Sequence, residues 1–242
     1  MYGIIGYPLL QTFSPGYFQA KFEQLGLSES YHKFPLASIT ELRALLQAQP
    51  GLKGLNVTIP YKEAVLPFLD ALDETAAQIG AVNTIKISAG QLTGFNTDVI
   101  GFRDSLQPLL GPQHRQALIL GTGGASKAVA YALRQLNIGY RFVSRNPAEG
   151  QLSYAMLDAA TINDHLLIIN TTPLGMYPDT DACPELPYRY LGKAHLLYDL
   201  IYNPAATLFL QQGEARGAAV KNGYEMLIGQ AEAAWKIWQE EL

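Results

Sequence analysis

Sulfur and histidine are scarce in this sequence. It holds one cysteine, Cys183, and four histidines in 242 residues. A single thiol makes no intrachain disulfide. His32, His114, His165 and His195 show no metal-ligand spacing, so no metal centre is expected. No run of about 18 apolar residues occurs, which predicts no membrane span. The opening Met1-Tyr-Gly-Ile-Ile-Gly-Tyr-Pro8 lacks the basic and apolar segments of a secretory signal, so a cytoplasmic location is expected. Positive charge is in the minority: 17 Lys and Arg stand against 21 Asp and Glu, for a formal charge of −4. A general nucleic-acid binder needs a basic face, so nucleic acid is not an expected partner. Internal repeats and low-complexity tracts are absent.

What is present supports a buried core: 48% of residues are apolar and 16% charged. The length suits roughly one to two domains of about 100–200 residues. Short β-branched runs alternate with helical stretches. Tyr2–Gly6, Tyr31–Phe34 and Leu52–Val57 read as strands. Pro15–Leu25 reads as a helix with Ser14 as N-cap, and Ser38–Ala48 as a helix opened by a capping box of Ser38 and Glu41. Asn83–Ile87 and Leu92–Phe95 flank Ala89-Gly90 as a hairpin. Asp98–Leu109 is the next helix. Ala117–Leu120, Tyr140–Val143, Leu166–Ile169 and Leu196–Leu200 read as strands, and Asn222–Glu241 as a long closing helix. This alternation predicts an α/β fold of two α/β lobes with mostly parallel sheets, the second starting near Gln116.

Leu118-Ile-Leu-Gly121-Thr-Gly123-Gly124-Ala125-Ser126 runs from strand through a glycine turn into a helix. Gly121 permits the tight turn, and Gly123 lets backbone approach a pyrophosphate. The helix start then offers its unpaired N–H groups to phosphate. Ser126 stands where the fingerprint usually has its third glycine or alanine. The following strand ends in Ser144-Arg145-Asn146, with no acid where NAD binders place one about 20 residues on. An arginine there suits a 2′-phosphate, so NADP is expected over NAD.

Polar clusters follow strand ends in the first half: Thr12-Phe-Ser14-Pro15, Asn56-Val-Thr58-Ile-Pro60-Tyr-Lys62, and Asn83-Thr84 with Asn96-Thr97-Asp98. Hydroxyls and amides with one lysine and one aspartate suit a small polyhydroxylated acid. Singly, each has a plainer explanation as a cap, a turn residue or a solvated charge.

Together, in order, these stretches resemble the shikimate dehydrogenase family along nearly the whole chain. The resemblance adds Gly3-Ile-Ile-Gly6-Tyr-Pro8, Gly54-Leu-Asn56, Gly80-Ala-Val-Asn83-Thr84 and Gly94-Phe-Asn96-Thr97-Asp98. It continues in Tyr198-Asp-Leu-Ile-Tyr202-Asn-Pro204 and Gly223-Tyr-Glu-Met226-Leu-Ile-Gly-Gln230-Ala231. It implies reversible NADP-dependent reduction of 3-dehydroshikimate to shikimate. It implies a substrate-binding domain of residues 1–98 plus 223–242, with the last helix returning to it, and a Rossmann-type NADP-binding domain of residues 99–222. Lys62 and Asp98 match the family's catalytic pair. Thr12, Ser14, Thr58, Asn83, Tyr202 and Gln230 match positions that hold substrate carboxylate and hydroxyls. Gly121, Gly123, Gly124, Ala125, Ser144, Arg145, Thr171, Thr172 and Gly223 match the cofactor site. A monomer or homodimer is expected.

Three positions depart from the family pattern. Thr12 replaces a serine, which leaves tolerance of quinate open. Glu149 replaces a second arginine, which weakens the 2′-phosphate clamp. Asn222 replaces an aspartate before Gly223. A rival reading is a folate-linked methylene dehydrogenase using a Tyr-x-x-x-Lys pair, here Tyr17 and Lys21, against which an amphipathic helix surface is the plainer account. A second rival is a nucleotide-responsive binding module without catalysis, which the presence of both Lys62 and Asp98 disfavours.

Overall fold

A computed structural model describes residues 1–9 and 12–240. The last residue of the expected closing helix, Glu241, lies outside the described residues, as does Leu242. The chain forms two compact units, residues 1–97 with 231–242, and residues 98–230.

Unit 1 runs β1 (Tyr2–Gly6), α1 (Ser14–Gln24), β2 (Tyr31–Pro35), α2 (Leu42–Ala48), β3 (Gly54–Val57), α3 (Tyr61–Ala64), β4 (Ala71–Leu72), α4 (Glu74–Ile79), β5 (Thr84–Ser88) and β6 (Gln91–Phe95). Its sheet has the order β2-β1-β3-β5-β6-β4. β1 pairs in parallel with β2 and β3, while β3–β5 and β5–β6 are antiparallel. The turn between β5 and β6 places Ala89 at φ 49° and Gly90 at φ 79°, the left-handed pair that suits a two-residue hairpin.

β1 is buried along its whole length. Tyr2 and Ile4 pack with Phe18, Phe22, Ala231, Ala234 and Trp238. Ile5, the neighbour with the opposite pleat, packs with Leu42, Leu55, Val57 and Ile85. A sheet so covered needs apolar residues on both faces. Gly54 has no side chain because a Cβ there would overlap the indole of Trp238. That indole N–H donates to the Ile85 carbonyl at 3.0 Å.

The expected helix ends shift in several places. The helix from Asp98 ends at Leu106, with Gln107–Leu109 a 3₁₀ turn, and the closing helix starts at Tyr224 rather than Asn222. Ser14 is the first residue of α1 rather than its cap, and Phe13 precedes it without a side-chain cap bond. The Ser14 hydroxyl bonds with Tyr31 on β2 instead. The stretch from Ser38 keeps its capping box but opens with a 3₁₀ turn, Ile39–Glu41, before α2.

Unit 2 runs α5 (Asp98–Leu106), β7 (Gln116–Leu120), α6 (Gly124–Gln135), β8 (Gly139–Ser144), β9 (Leu152–Ser153), α7 (Ala159–Asp164), β10 (Leu167–Asn170), β11 (Leu196–Asp199), α8 (Leu208–Glu214) and β12 (Ala219–Lys221). The last helix, α9 (Tyr224–Gln239), starts in unit 2 and ends in unit 1. The sheet order is β12-β11-β10-β7-β8-β9, and every pairing is parallel. Numbered from β7, this is the 3-2-1-4-5-6 order of a doubly wound dinucleotide fold. Its switch point lies between β7 and β10. Leu118, Leu120, Ile168 and Leu197 join Phe209 and Leu210 in the core. Among the described residues, no helix is long and apolar enough to cross a membrane.

Candidate active site

In unit 1, strand direction gathers the expected residues at one end of the sheet. β1 and β3 are parallel, so the segments that follow them, with Thr12 and Ser14 and with Thr58 and Lys62, leave from the same edge. β5 runs the other way, with Asn56 opposite Thr84, so Asn83 enters at that edge. β6 brings Phe95 opposite Thr84 and delivers Thr97 there too.

A buried polar network lies under this edge. Tyr31 OH donates to Asn56 Oδ1 at 2.6 Å. Asn56 Nδ2 faces Thr84 Oγ1 at 3.3 Å and the Asn83 carbonyl at 3.4 Å. Asn83 Oδ1 accepts the Thr97 N–H at 2.7 Å, and its Nδ2 donates to Thr97 Oγ1 at 2.9 Å. Burial in this setting pushes the Tyr31 phenol far above its ordinary range. Lys62 is half-buried in α3, where its carbonyl accepts the Val82 N–H at 2.7 Å. Thr12 Oγ1 is enclosed and has no hydrogen-bond partner among the described residues.

In unit 2, every strand is parallel, so Gly121, Ser144-Arg145, Thr171-Thr172, Tyr202 and Gly223 follow strand ends on one edge. Gly121 has φ 102°, a left-handed conformation that favours glycine. A Cβ there would meet Thr171 Oγ1 at 2.9 Å, so the glycine turn and the Thr171 segment abut at the switch point. Thr171 Oγ1 donates to the Leu120 carbonyl at 2.6 Å. Gly123 caps α6 in extended backbone, and a Cβ there would meet nothing within 4 Å. Gly124 and Ala125 open the helix, so their N–H groups face the space beyond it. Ser126, in the third fingerprint position, turns its hydroxyl to the Gly123 carbonyl at 2.6 Å. These features fit a dinucleotide pyrophosphate.

Ser144 ends β8 and accepts the Asn146 N–H at 3.2 Å, while Arg145 and Glu149 are exposed. Thr172 gives both its N–H, at 3.0 Å, and its hydroxyl, at 2.6 Å, to Asn170 Oδ1. Tyr202 is half-buried, and burial raises its phenol. Gly223 lies so close to the Leu200 carbonyl that a side chain would overlap it.

Asp98 and Gln230 come from helices instead of strand ends. Asp98 is the first residue of α5 and is buried, a favourable place for a carboxylate beside a helix N-terminus. Gln230 lies on α9 and donates to the Leu227 carbonyl at 3.0 Å. The two helices meet backbone to backbone, because a Cβ on Gly101 would overlap the Met226 carbonyl and one on Gly229 would sit 3.0 Å from Gly101 Cα.

The Tyr17–Lys21 pair has a structural use. Tyr17 OH donates to Glu232, and Lys21 Nζ reaches both Glu232 oxygens at 2.7 and 2.8 Å. Burial works to raise the Glu232 carboxyl, but these donors hold it below the usual range. The pair thus fastens α9 to α1. Tyr31 and Asp199 carried no expected role in the sequence. Tyr31 bonds Asn56 and Asp199 bonds Asn170, each 25 or more residues away in sequence, and periodicity holds no signal for either.

The strand order and the glycine turn define a two-unit α/β protein of the dinucleotide-binding class. The family model for the shikimate dehydrogenase substrate binding domain matches residues 4–85. The shikimate dehydrogenase (NADP(+)) of Methanococcus maripaludis strain C6 is 37% identical, covering 98% of this chain and 90% of the relative. That of Oleidesulfovibrio alaskensis is 40% identical, covering 99% and 89%. Among solved structures, shikimate 5-dehydrogenase from Thermus thermophilus in complex with NADP(H) and shikimate aligns with a TM-score of 0.88 at 32% identity, covering 100% of this chain and 94% of that one. The chain belongs to the shikimate dehydrogenase family.

Proposed function

We propose that this protein catalyses the reversible reduction of 3-dehydroshikimate to shikimate with NADPH, in aromatic amino acid biosynthesis. The observation that carries the reading is the glycine turn at the switch point, with Gly121 at positive φ against Thr171, in a family whose relatives are named for this activity.

Gly121, Gly123, Gly124 and Ala125 hold the pyrophosphate, and Ser144 and Arg145 the 2′-phosphate. Thr171, Thr172 and Gly223 flank the nicotinamide. When bound, NADPH supplies the hydride to the substrate carbonyl carbon. Lys62 gives its ammonium proton to the oxygen that gains alkoxide character there. The Asp98 carboxylate orients the lysine and the substrate hydroxyl. Thr12, Ser14, Thr58, Asn83, Tyr202 and Gln230 hold the carboxylate and remaining hydroxyls. Residues 1–98 with 223–242 form the substrate-binding domain, and 99–222 the NADP-binding domain. The protein works in the cytoplasm as a monomer or homodimer, without nucleic acid.

The test is oxidation of shikimate or quinate with NADP or NAD, read as reduced nicotinamide. Turnover with shikimate and NADP above the other three pairs is expected. A rate with quinate equal to that with shikimate contradicts the substrate assignment, and no rate in any pair contradicts the activity.

A further inference from the structure

Asp199 is a carboxylate with no exposed surface at the carboxyl end of β11, and the chemistry above makes no use of it. Both of its oxygens accept hydrogen bonds. Oδ1 accepts Asn170 Nδ2 at 3.0 Å and the Ile201 N–H at 3.0 Å. Oδ2 accepts the Thr207 hydroxyl at 2.6 Å. The first two donors lead to separate turns. Asn170 passes the constraint on, because its Oδ1 takes both the N–H and the hydroxyl of Thr172. Ile201 precedes Tyr202. The Thr172 hydroxyl in turn accepts the Leu174 N–H at 3.3 Å, which closes the first turn.

Resting on the function proposed above, we infer that Asp199 is a positioning residue that holds the cofactor-side turn (Thr171-Thr172) and the substrate-side turn (Ile201-Tyr202) through one shared oxygen. β10 and β11 are adjacent parallel strands, so their backbone bonds set the strands in register but stop where the turns leave. The Leu200 N–H to Asn170 carbonyl bond, at 3.0 Å, continues that ladder by one step. Beyond it, the Asp199 carboxylate links the first residues of the two turns, and the Tyr177 N–H to Asn203 carbonyl bond, at 3.2 Å, joins the segments further on. Thr207 serves a different end: it caps α8, accepting the Leu210 N–H at 3.4 Å, and leads to neither turn.

The geometry separates shape from charge. In Asp199→Asn, the retained oxygen still accepts from Asn170 and Ile201, and the new amide donates to Thr207 Oγ1, which accepts as readily as it donates. In Asp199→Ala, the Ile201 N–H loses its acceptor, and Asn170 loses the bond that orients it toward Thr172. Asn170→Ala breaks the branch to Thr172 and the 3.5 Å bond to the Leu174 carbonyl in the same turn, and leaves the Ile201 N–H its acceptor. Thr207→Val breaks only the third bond and the α8 cap.

The test is steady-state kinetics of the wild type and these four variants, with KM measured separately for NADP and shikimate. Asp199→Ala is expected to raise both KM values by about tenfold or more, the scale of one lost hydrogen bond. Asp199→Asn should keep both within about threefold, a rescue by shape that a general loss of stability would not give. Asn170→Ala should raise KM for NADP about tenfold and leave that for shikimate within about threefold. Thr207→Val should lower the melting temperature and move neither KM. Should Asp199→Ala fail to fold, the split in Asn170→Ala and the rescue in Asp199→Asn decide the matter. Equal rises of both KM values in Asn170→Ala, or losses in Asp199→Asn of tenfold or more, overturn the inference. A wild type without turnover overturns the proposed function instead, so the two failures are distinct.

Discussion

Replacing Tyr31 with Phe removes one oxygen from unit 1 and little else. The ring stays stacked on Phe18, with centroids 4.8 Å apart and planes 9° from parallel. What is lost is the 2.6 Å bond to Asn56 Oδ1, an acceptor buried with its residue, together with the bond to the Ser14 hydroxyl. A buried acceptor left unpaired costs about 1–3 kcal/mol, where the bond alone is worth about 1. For a unit of this size, each kcal/mol moves the melting midpoint by about 4–8 °C. The midpoint should therefore fall by at least about 4 °C. The assay is intrinsic tryptophan fluorescence during heating. Both tryptophans, Trp235 and Trp238, lie in the segment 231–242 of unit 1, so the signal reports that unit. Burial holds the Tyr31 phenol neutral throughout the working range, so the loss should be the same at pH 6 and pH 8. A shift under about 1 °C would refute the view that this network is fully paired and buried.

Further outcomes follow from single contacts. Arg145→Ala should weaken NADP binding by about tenfold or more and leave NAD nearly unchanged, since only NADP carries the 2′-phosphate; titration of each cofactor separates the cases. Gly54→Ala should destabilise unit 1 by about 1–3 kcal/mol, because its Cβ displaces the Trp238 indole, and urea unfolding followed by fluorescence measures this. Burial pushes the Asp199 carboxyl up to about 6 from 3.8, against its three hydrogen-bond donors. A raised pKa favours the fold below about pH 4 and loses that favour as pH rises through about 6. The stability of Asp199→Asn relative to wild type should therefore climb by up to about 3 kcal/mol between pH 4 and pH 7. A flat difference across that window contradicts the burial of an ionised carboxylate.

Local patterns are legible in the sequence, and long-range partners are not. The strand, glycine turn and helix around Gly121 can be read because each signal sits within a few residues of the next. The same holds for the Ser38–Glu41 capping box and the Ala89-Gly90 hairpin. Short elements escape. α3, the four-residue helix that carries Lys62, is too brief to show a helical period, and the two-residue edge strands β4 and β9 show no alternation. Ser14 reads as a cap because serine before proline usually is one, yet its hydroxyl is claimed by Tyr31 on β2. Tyr17 and Lys21 read as a catalytic pair or an idle surface. Their use depends on Glu232, which is 211 residues from Lys21 in sequence. The expected active-site residues are visible as polar clusters after strands, but strand direction puts them on common edges, and direction is a property of pairing.

The central claim is that Lys62 delivers the proton in an NADPH-dependent ketone reduction. The most direct measurement compares wild type with Lys62→Met on 3-dehydroshikimate and NADPH, following loss of reduced nicotinamide and identifying the product. One shikimate should form for each NADPH that the wild type consumes. In the variant, kcat should fall by about 10²–10⁴-fold with NADPH affinity unchanged. A wild type that consumes no NADPH, or a variant that matches it, would contradict the claim.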